Sequence, residues 1–498
     1  MNKLKKSRKA KIGLYSMGLD TYWNQFEGLH DRLLEYGNFI KKRLESMGAD
    51  VVFYGMVDCE QKGRECGELF QRENVDLIFA HSATYVTSAS VIKIHQICKA
   101  YTVVLNLQPT RQINYDKTST GEWLAHCGAC PVPELANAFE RCGIEFCCIN
   151  GLLGLDYTPT ISVTDENTAQ CKEAIRAWNE IEEWVKAAGV KRQLRESRFG
   201  FLGNNYSGML DLYSDYTMLQ AQTGIHIELL EMCDLDRYLE AVTPDEVKDK
   251  RKEIEDFFVI SDDNSADPRA KKPTAEQLDW SAKVAVAQEM MVKDYDLDAL
   301  AYYYHGSNDN HYERVQSGFI VGHSLLTAKG IPCAGEGDLK TALAMKICDL
   351  LGVGGSFCEI VCTDYEEGTI LLGHDGPFHL AIANGKPILR GLGVYHGKRG
   401  AGVSVEAKVR TGDITNLNCT QTSDGKLKFI ITEAESVDRQ IMTIGNTQTH
   451  VKFTEDPDTY MTRWFMEYPT HHFAMSVGHN KKQFEKVCKL LNIKYVTL

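Results

Sequence analysis

Three ligand-type side chains are spaced through the last third of the 498-residue chain: Glu336 in Ala334-Gly335-Glu336-Gly337-Asp338, Glu359 in Ser356-Phe357-Cys358-Glu359, and His374 in Leu371-Leu372-Gly373-His374-Asp375. A His471-His472 pair follows almost a hundred residues later. Two carboxylates with imidazoles make a donor set that a divalent ion such as Mn²⁺ accepts, and two carboxylates at one site can also pass protons. The chemistry indicated is metal-assisted work on a small oxygenated substrate.

Each residue alone has an ordinary explanation. Glu336 could be a carboxylate favoured by a helix N-terminus, Glu359 a strand-edge residue, and His471-His472 a polar turn. Their settings argue for a joint role. Small or apolar neighbours flank each one: Ala334 and Gly335, Phe357 and Cys358, Leu372 and Gly373, Phe473 and Ala474. Burying such groups without partners is expensive, and shared coordination of a metal removes that cost.

Elements must bring these residues together. Apolar runs with β-branched residues predict strands over 11–15, 50–54, 76–80 and 101–107, with helices over 29–47, 91–100 and 134–142 between and after them. Alternation of this kind gives a parallel sheet with helices on both faces, and ligands bind at the carboxyl ends of its strands. Gln108, Thr110, Arg111 and Gln112 lie just past such an end. A helix over 167–188 leads into a second alternating unit, with strands over 199–203, 225–230 and 299–304 and helices over 282–292, 315–329 and 339–351. Glu336 then falls in a strand-to-helix turn. The charged stretch 244–272 reads as a solvated helix and loop. Beyond residue 356 the texture changes to short strands over 369–372, 379–382, 403–410, 413–419, 427–433 and 440–443, with Ser423-Asp424-Gly425 as a hairpin signal. An antiparallel barrel or sandwich closed by a helix over 481–491 is expected. The fold class is therefore α/β: two doubly wound parallel-sheet domains, 1–166 and 167–355, followed by a β-rich barrel-like domain, 356–498.

The totals bound the function. Hydrophobic residues are 43% and charged residues 25%, ordinary for a globular protein. A net charge of −13 argues against nucleic acid, which needs a concentrated basic surface, and leaves a neutral substrate as the better match. The basic opening segment (Lys3, Lys5, Lys6, Arg8, Lys9, Lys11) runs straight into a strand, with no apolar signal region and no membrane-length span, so a cytoplasmic protein is expected. Sixteen cysteines fit that compartment if reduced. Cys127-Gly128-Ala129-Cys130 could be a redox pair or half a zinc site. No second Cys-x-x-Cys completes a zinc set, and Pro131 and Pro133 favour a loop. Gly203-Asn204-Asn205 and Gly352-Val353-Gly354-Gly355 match neither a dinucleotide loop nor a P-loop and read as turns, no Gly-x-Ser-x-Gly elbow is present, and His305, His311 and His323 read as surface or satisfied helix histidines.

The segments Ala334-Gly335-Glu336-Gly337-Asp338 with Lys340-Thr341-Ala342, Gly355-Ser356-Phe357-Cys358-Glu359, Leu372-Gly373-His374 and His471-His472 resemble, in order and approximate spacing, the L-arabinose isomerases of the wider arabinose and fucose isomerase group. Arg198-Phe199-Gly200 adds weaker similarity. The resemblance implies that Glu336, Glu359, His374 and His472 hold Mn²⁺, with Glu336 and Glu359 as the catalytic acid/base pair. It selects His472 over His471 and leaves open which glutamate is the base. It also implies a three-domain fold and homo-oligomers, often hexamers, with active sites shared between subunits. Three departures bear on the substrate. Ile360 replaces the family's acid after Glu359, Tyr468-Pro469-Thr470 precedes the histidines in place of Gly-Gly-Ala, and 105–115 matches the first-domain substrate segment only loosely.

The expected activity is aldose–ketose isomerisation of a neutral sugar, such as L-arabinose, D-galactose or L-fucose, through an enediol. The alternatives are a non-catalytic sugar-binding or regulatory protein on the same scaffold, or a metal-dependent sugar epimerase or aldolase.

Overall fold

The computed structural model describes residues 3–4, 8–263, 267–306, 310–392 and 402–498, so parts of the basic opening segment and of the charged stretch 244–272 lie outside the described residues. The chain forms two compact units, Arg8–Gln193 and Leu194–Leu498.

In the first unit, five strands form a parallel sheet: β1 (Lys11–Met17), β2 (Asp50–Val57), β3 (Leu77–His81), β4 (Tyr101–Gln108) and β5 (Phe146–Leu152), in the order β2-β1-β3-β4-β5. Strand β3 is buried along its whole length, as a near-continuous apolar run in a sheet covered on both faces should be. The longer helices are α1 (Leu29–Ser46), α2 (Glu60–Glu73), α3 (Ser88–Ile97), α4 (Val132–Arg141) and α5 (Lys172–Arg195). Along α1, Leu29, Leu33, Tyr36, Ile40 and Leu44 recur three or four apart and make the buried face. The helix expected over 167–188 is α5, and it covers this first sheet: Trp184 stacks on Tyr101 with centroids 5.2 Å apart, and the Trp178 indole donates to the Leu153 carbonyl at 2.9 Å.

The second unit opens with another parallel sheet. Its strands β6 (Arg198–Gly203), β7 (His226–Leu230), β8 (Ala299–Tyr303) and β9 (Cys333–Ala334) are ordered β9-β8-β6-β7. The order reverses between β6 and β8, which makes the crevice beyond their carboxyl ends the place where such a sheet binds ligands. Helices α6 (Ala275–Asp294), α7 (Phe319–Ala328) and α8 (Leu339–Leu351) pack around it. The single helix expected over 315–329 is divided at Gly318, where a Cβ would lie 2.9 Å from Val284 of α6. Helix α8 is buried on all sides, and even the Lys340 ammonium is internal, donating to Leu212 O, Tyr213 O and Ser214 Oγ at 3.2, 3.4 and 2.9 Å.

A closed antiparallel six-stranded barrel follows. It consists of β10 (Gly354–Asp364), β11 (Thr369–His374), β12 (Gly412–Gln421), β13 (Leu427–Val437), β14 (Thr447–Lys452) and β15 (His472–Val477), in the order β12-β15-β10-β11-β14-β13, with β13 pairing back to β12. Helix α9 (Lys481–Leu491) leads to β16 (Lys494–Thr497), which pairs in parallel with β13. A small sheet of Ile388–Leu392, Val403–Glu406, Val259–Ile260 and Ala270–Lys271 stands beside the barrel.

Two expected strands are absent. Segment 379–382 contains the 3-10 turn Leu380–Ile382, with the Ile382 N–H donating back to His379 O. Segment 440–443 is irregular because the Gln448 side chain satisfies both the N–H and the carbonyl of Met442, leaving nothing for a ladder to do. The true strand, β14, begins a few residues later. Among the described residues, no helix is long and apolar enough to cross a membrane.

Candidate metal centre and active site

Glu336 occupies a tight turn, Gly335–Gly337, between β9 and α8. Its backbone is left-handed (φ 58°, ψ 15°), an uncommon conformation for a residue with a Cβ and one that costs of order 1 kcal/mol. Gly337 beside it has φ 73°, and a Cβ there would lie 2.5 Å from Asn204 O. The loop after β6 clasps this turn: Tyr206 N–H donates to Glu336 O at 3.0 Å and the Asn205 amide to Gly337 O at 2.7 Å. Strain held in place by the loop after another strand of the same sheet is the arrangement expected where a side chain must be aimed.

The other side chains come from the barrel through its register. Glu359 in β10 stands directly opposite His472 of β15 on one side and Gly373 of β11 on the other. His374 ends β11, and Thr447 of β14 fixes its backbone by accepting from the His374 N–H and donating to its carbonyl, both at 2.9 Å. Gly373 permits that approach, since a Cβ there would lie 2.0 Å from Thr447 O. Phe357, two residues before Glu359, packs against the rings of both His374 and His472, with centroids 4.6 and 4.3 Å away.

The four residues named from sequence thus lie in one place. His472 Nε2 is 3.5 Å and His374 Nε2 3.9 Å from the Glu336 carboxylate, and His471 Nε2 is 3.6 Å from it. Potential ligand atoms gather within 4.8 Å of one another in two groups, Glu336 with His471 and His472, and Glu359 with His374 and His472. His472 is common to both.

The residues fit a divalent cation on an observation independent of their types. Glu336 Oε2 and His472 Nε2 are both buried and have no hydrogen-bond partner. The Nδ1–H of His472 faces Asp338 Oδ2 at 3.1 Å, so in the neutral ring Nε2 presents a lone pair to a carboxylate oxygen. Two buried acceptors facing each other at 3.5 Å call for positive charge; the His471 imidazole, 3.6 Å from the same Glu336 oxygen, supplies some to the carboxylate, and a cation between the two atoms would satisfy both.

The electrostatics separate the two glutamates. Burial works to raise the Glu336 pKa, but His471, His472 and His374 outweigh it and the net shift is downward. Burial raises Glu359; His472 and His471 oppose this, Glu336 and Asp375 reinforce it, and the net shift is upward. A carboxylate pair pushed in opposite directions can divide proton handling between its members. His471 is shared between two carboxylates: its Nδ1 is 2.6 Å from Asp211, and Asp211 together with Glu336 overcomes burial and lifts the imidazole to about 10.

Next to Glu336 and His374 lies a small cavity of about 20 Å³, lined also by Tyr206, Tyr302, Tyr303, Gln316 and Gly376. Tyr206 stacks on Tyr303 at 4.6 Å and meets the edge of His305 at 5.7 Å. Both Tyr206 and Tyr303 come from the strand ends where the sheet order reverses. Sequence reading missed this aromatic wall, Asp211 and the contact from Asp338 to His472. Only Asp338 left a signal, as the cap of α8 through Thr341, and that signal concerns the helix. Among the candidates past the first sheet, Gln108 and Thr110 are tied into their own loop, the Gln108 amide donating to Thr110 O at 2.7 Å and the Thr110 hydroxyl to Gln112 O at 2.8 Å. His323 is buried and bonded to Gln288 at 2.7 Å, and His311 pairs with Asp236 at the surface.

No family model matches this chain. Among solved structures, a periplasmic solute-binding protein of an ABC transporter from Actinobacillus succinogenes, with bound D-allose, is 10% identical and covers 66% of this chain and 78% of that one, at a TM-score of 0.17. A superposition of that quality carries no argument. L-arabinose isomerase 2 of Bacillus licheniformis is 23% identical over 331 residues, a match covering 64% of this chain and 66%, just under two thirds, of that protein. The chain is therefore similar, at low identity, to a sugar isomerase.

Proposed function

We propose that this protein is a divalent-metal-dependent aldose–ketose isomerase acting on a neutral sugar, with Mn²⁺ as the metal and L-arabinose, or a close relative such as D-galactose or L-fucose, as the substrate. The observation that carries this reading is the pair of unpartnered buried atoms, Glu336 Oε2 and His472 Nε2, facing each other at 3.5 Å with Glu359 and His374 beside them.

Glu336, Glu359, His374 and His472 would hold the ion, and Asp338 would keep His472 in the tautomer that offers Nε2. When bound, the ion supplies a Lewis acid for the oxygens on the first two carbons of the sugar. Glu359, whose carboxyl is raised, is the better proton carrier at neutral pH; it takes the proton from C2 and returns it to C1. Glu336, held ionised among three imidazoles, steadies the hydroxyl proton. Phe357 keeps water from the faces of the two histidines it touches. Tyr206, half-buried and stacked on Tyr303, offers an apolar surface to the C–H face of a sugar.

A cytoplasmic location and a homo-oligomer, hexameric by resemblance to the L-arabinose isomerases and with shared sites, belong to the same proposal. Incubation with added Mn²⁺ and L-arabinose, D-galactose, L-fucose or D-arabinose, scored for ketose, tests it. Ketose from at least one sugar, lost on chelation and restored by Mn²⁺, is expected. Sugar binding with no ketose from any of the four would favour a binding protein instead.

A further inference from the structure

Cys127-Gly128-Ala129-Cys130 plays no part in the centre described above, and neither candidate metal group among the described residues contains a cysteine. It contains the only two cysteines in the sequence that stand three apart. Cys127–Ala129 form a 3-10 turn that runs through Pro131 into α4, and the Cys130 N–H donates to Cys127 O at 3.2 Å. A turn of this kind puts side chains i and i+3 on the same side, with Cα atoms inside the roughly 4.4–6.8 Å range that a disulfide bridges.

The turn is held firmly against the carboxyl ends of the first sheet. Ser82, which follows β3, donates its hydroxyl to Gly128 O at 2.6 Å, and a Cβ on Gly128 would lie 2.4 Å from Ser82 O. Both cysteines are free, Cys127 buried and Cys130 exposed. One sulfur is therefore open to a reagent in solution, and the other waits behind it within reach.

The geometry points to a dithiol that exchanges with low-molecular-weight disulfides and closes reversibly into a Cys127–Cys130 disulfide. Exposed Cys130, which stands just ahead of the N-terminus of α4, loses its proton and attacks one sulfur of the small disulfide. The small S–S bond breaks, a mixed disulfide forms on Cys130, and one small thiol leaves carrying a proton. Cys127 then gives up its proton and attacks the Cys130 sulfur, expelling the second small thiol. The protein loses two hydrogens and two electrons, and the small disulfide gains them. The order follows from exposure: Cys130 is open to solvent and Cys127 is buried, and burial and the neighbouring Cys130 also push the Cys127 thiol up to about 12.

The test treats the full-length native protein with oxidised glutathione, blocks remaining thiols with an alkylating agent, and maps residues 127–130 by mass spectrometry. The expected result is a peptide two hydrogens lighter, unalkylated at both positions and restored to two thiols by dithiothreitol. In Cys127→Ser, Cys130 should hold one glutathione, and in Cys130→Ser, Cys127 should carry none. The inference is overturned if the wild-type peptide keeps two alkylatable thiols while exposed Cys142, Cys233 and Cys362 take up glutathione. It is equally overturned if wild-type Cys130 stops at the mixed disulfide. The wild-type result stands alone should either variant fail to fold.

Discussion

His472 Nδ1 lies 3.1 Å from Asp338 Oδ2, and both side chains are completely buried. Asp338 is also the N-cap of α8, accepting from Thr341 N–H at 2.9 Å and from the Thr341 hydroxyl at 2.7 Å. One carboxylate thus ties the start of the helix after Glu336 to the ring that opens β15. Burial alone would raise its pKa, but His472, Lys340 and the helix N–H outweigh burial and hold it ionised.

Replacing Asp338 by Asn keeps a good helix cap and removes the charge that orients His472. Mn²⁺ affinity measured by calorimetry should fall about 10- to 100-fold in Asp338→Asn with an unchanged circular dichroism spectrum. Affinity equal to wild type would show that the Asp338–His472 contact does not serve a metal.

Gly373 allows β11 to approach β14 at the residue before His374. Gly373→Ala would force a Cβ to within 2.0 Å of the Thr447 carbonyl, so the strands must separate. A loss of about 1–3 kcal/mol in urea unfolding is expected, with weaker Mn²⁺ binding because His374 moves. An alanine variant with wild-type stability and metal affinity would rule this packing out.

The sheet-and-helix texture was legible where local signals agree. Gly335 and Gly337 around Glu336, then Asp338 before an apolar run, mark a strand-to-helix turn, and the helix over 339–351 matches α8 at both ends. Helix α2 was hidden because Gly63 and Gly67 weaken helix propensity. They are there to admit α3, since a Cβ on Gly63 would lie 2.0 Å from Ser90 O. Strand β15 was hidden too: Tyr468-Pro469-Thr470 before it signals a turn, and His-Phe-Ala-Met-Ser-Val has no clean alternation. The pairing of Glu359 with His472 is a register between distant strands, and Asp211 meets His471 across 260 residues of sequence; neither has a local signal.

Burial lowers three internal histidines, His81, His95 and His323, to about 3. The unfolded chain binds a proton on each below about 6.5, which the folded chain refuses. Their contribution to stability is therefore full above about pH 6.5 and is lost as pH falls toward 3, at up to ~1.4 kcal/mol per pH unit for each histidine. Urea midpoints between pH 7 and 4.5 should fall less steeply in His323→Leu than in wild type. Identical slopes would contradict a neutral buried His323.

The central claim is that Glu359 moves a proton between carbons, and Glu336 handles the hydroxyl proton, at a metal held by both and by two histidines. Its most direct test is ¹H and ²H NMR of the ketose made in D₂O with Mn²⁺ present. The account predicts deuterium bound to carbon in the product, and turnover reduced at least ~100-fold in both Glu336→Gln and Glu359→Gln. Ketose formed with no solvent deuterium, or near-normal isomerisation by either glutamine variant, would contradict it.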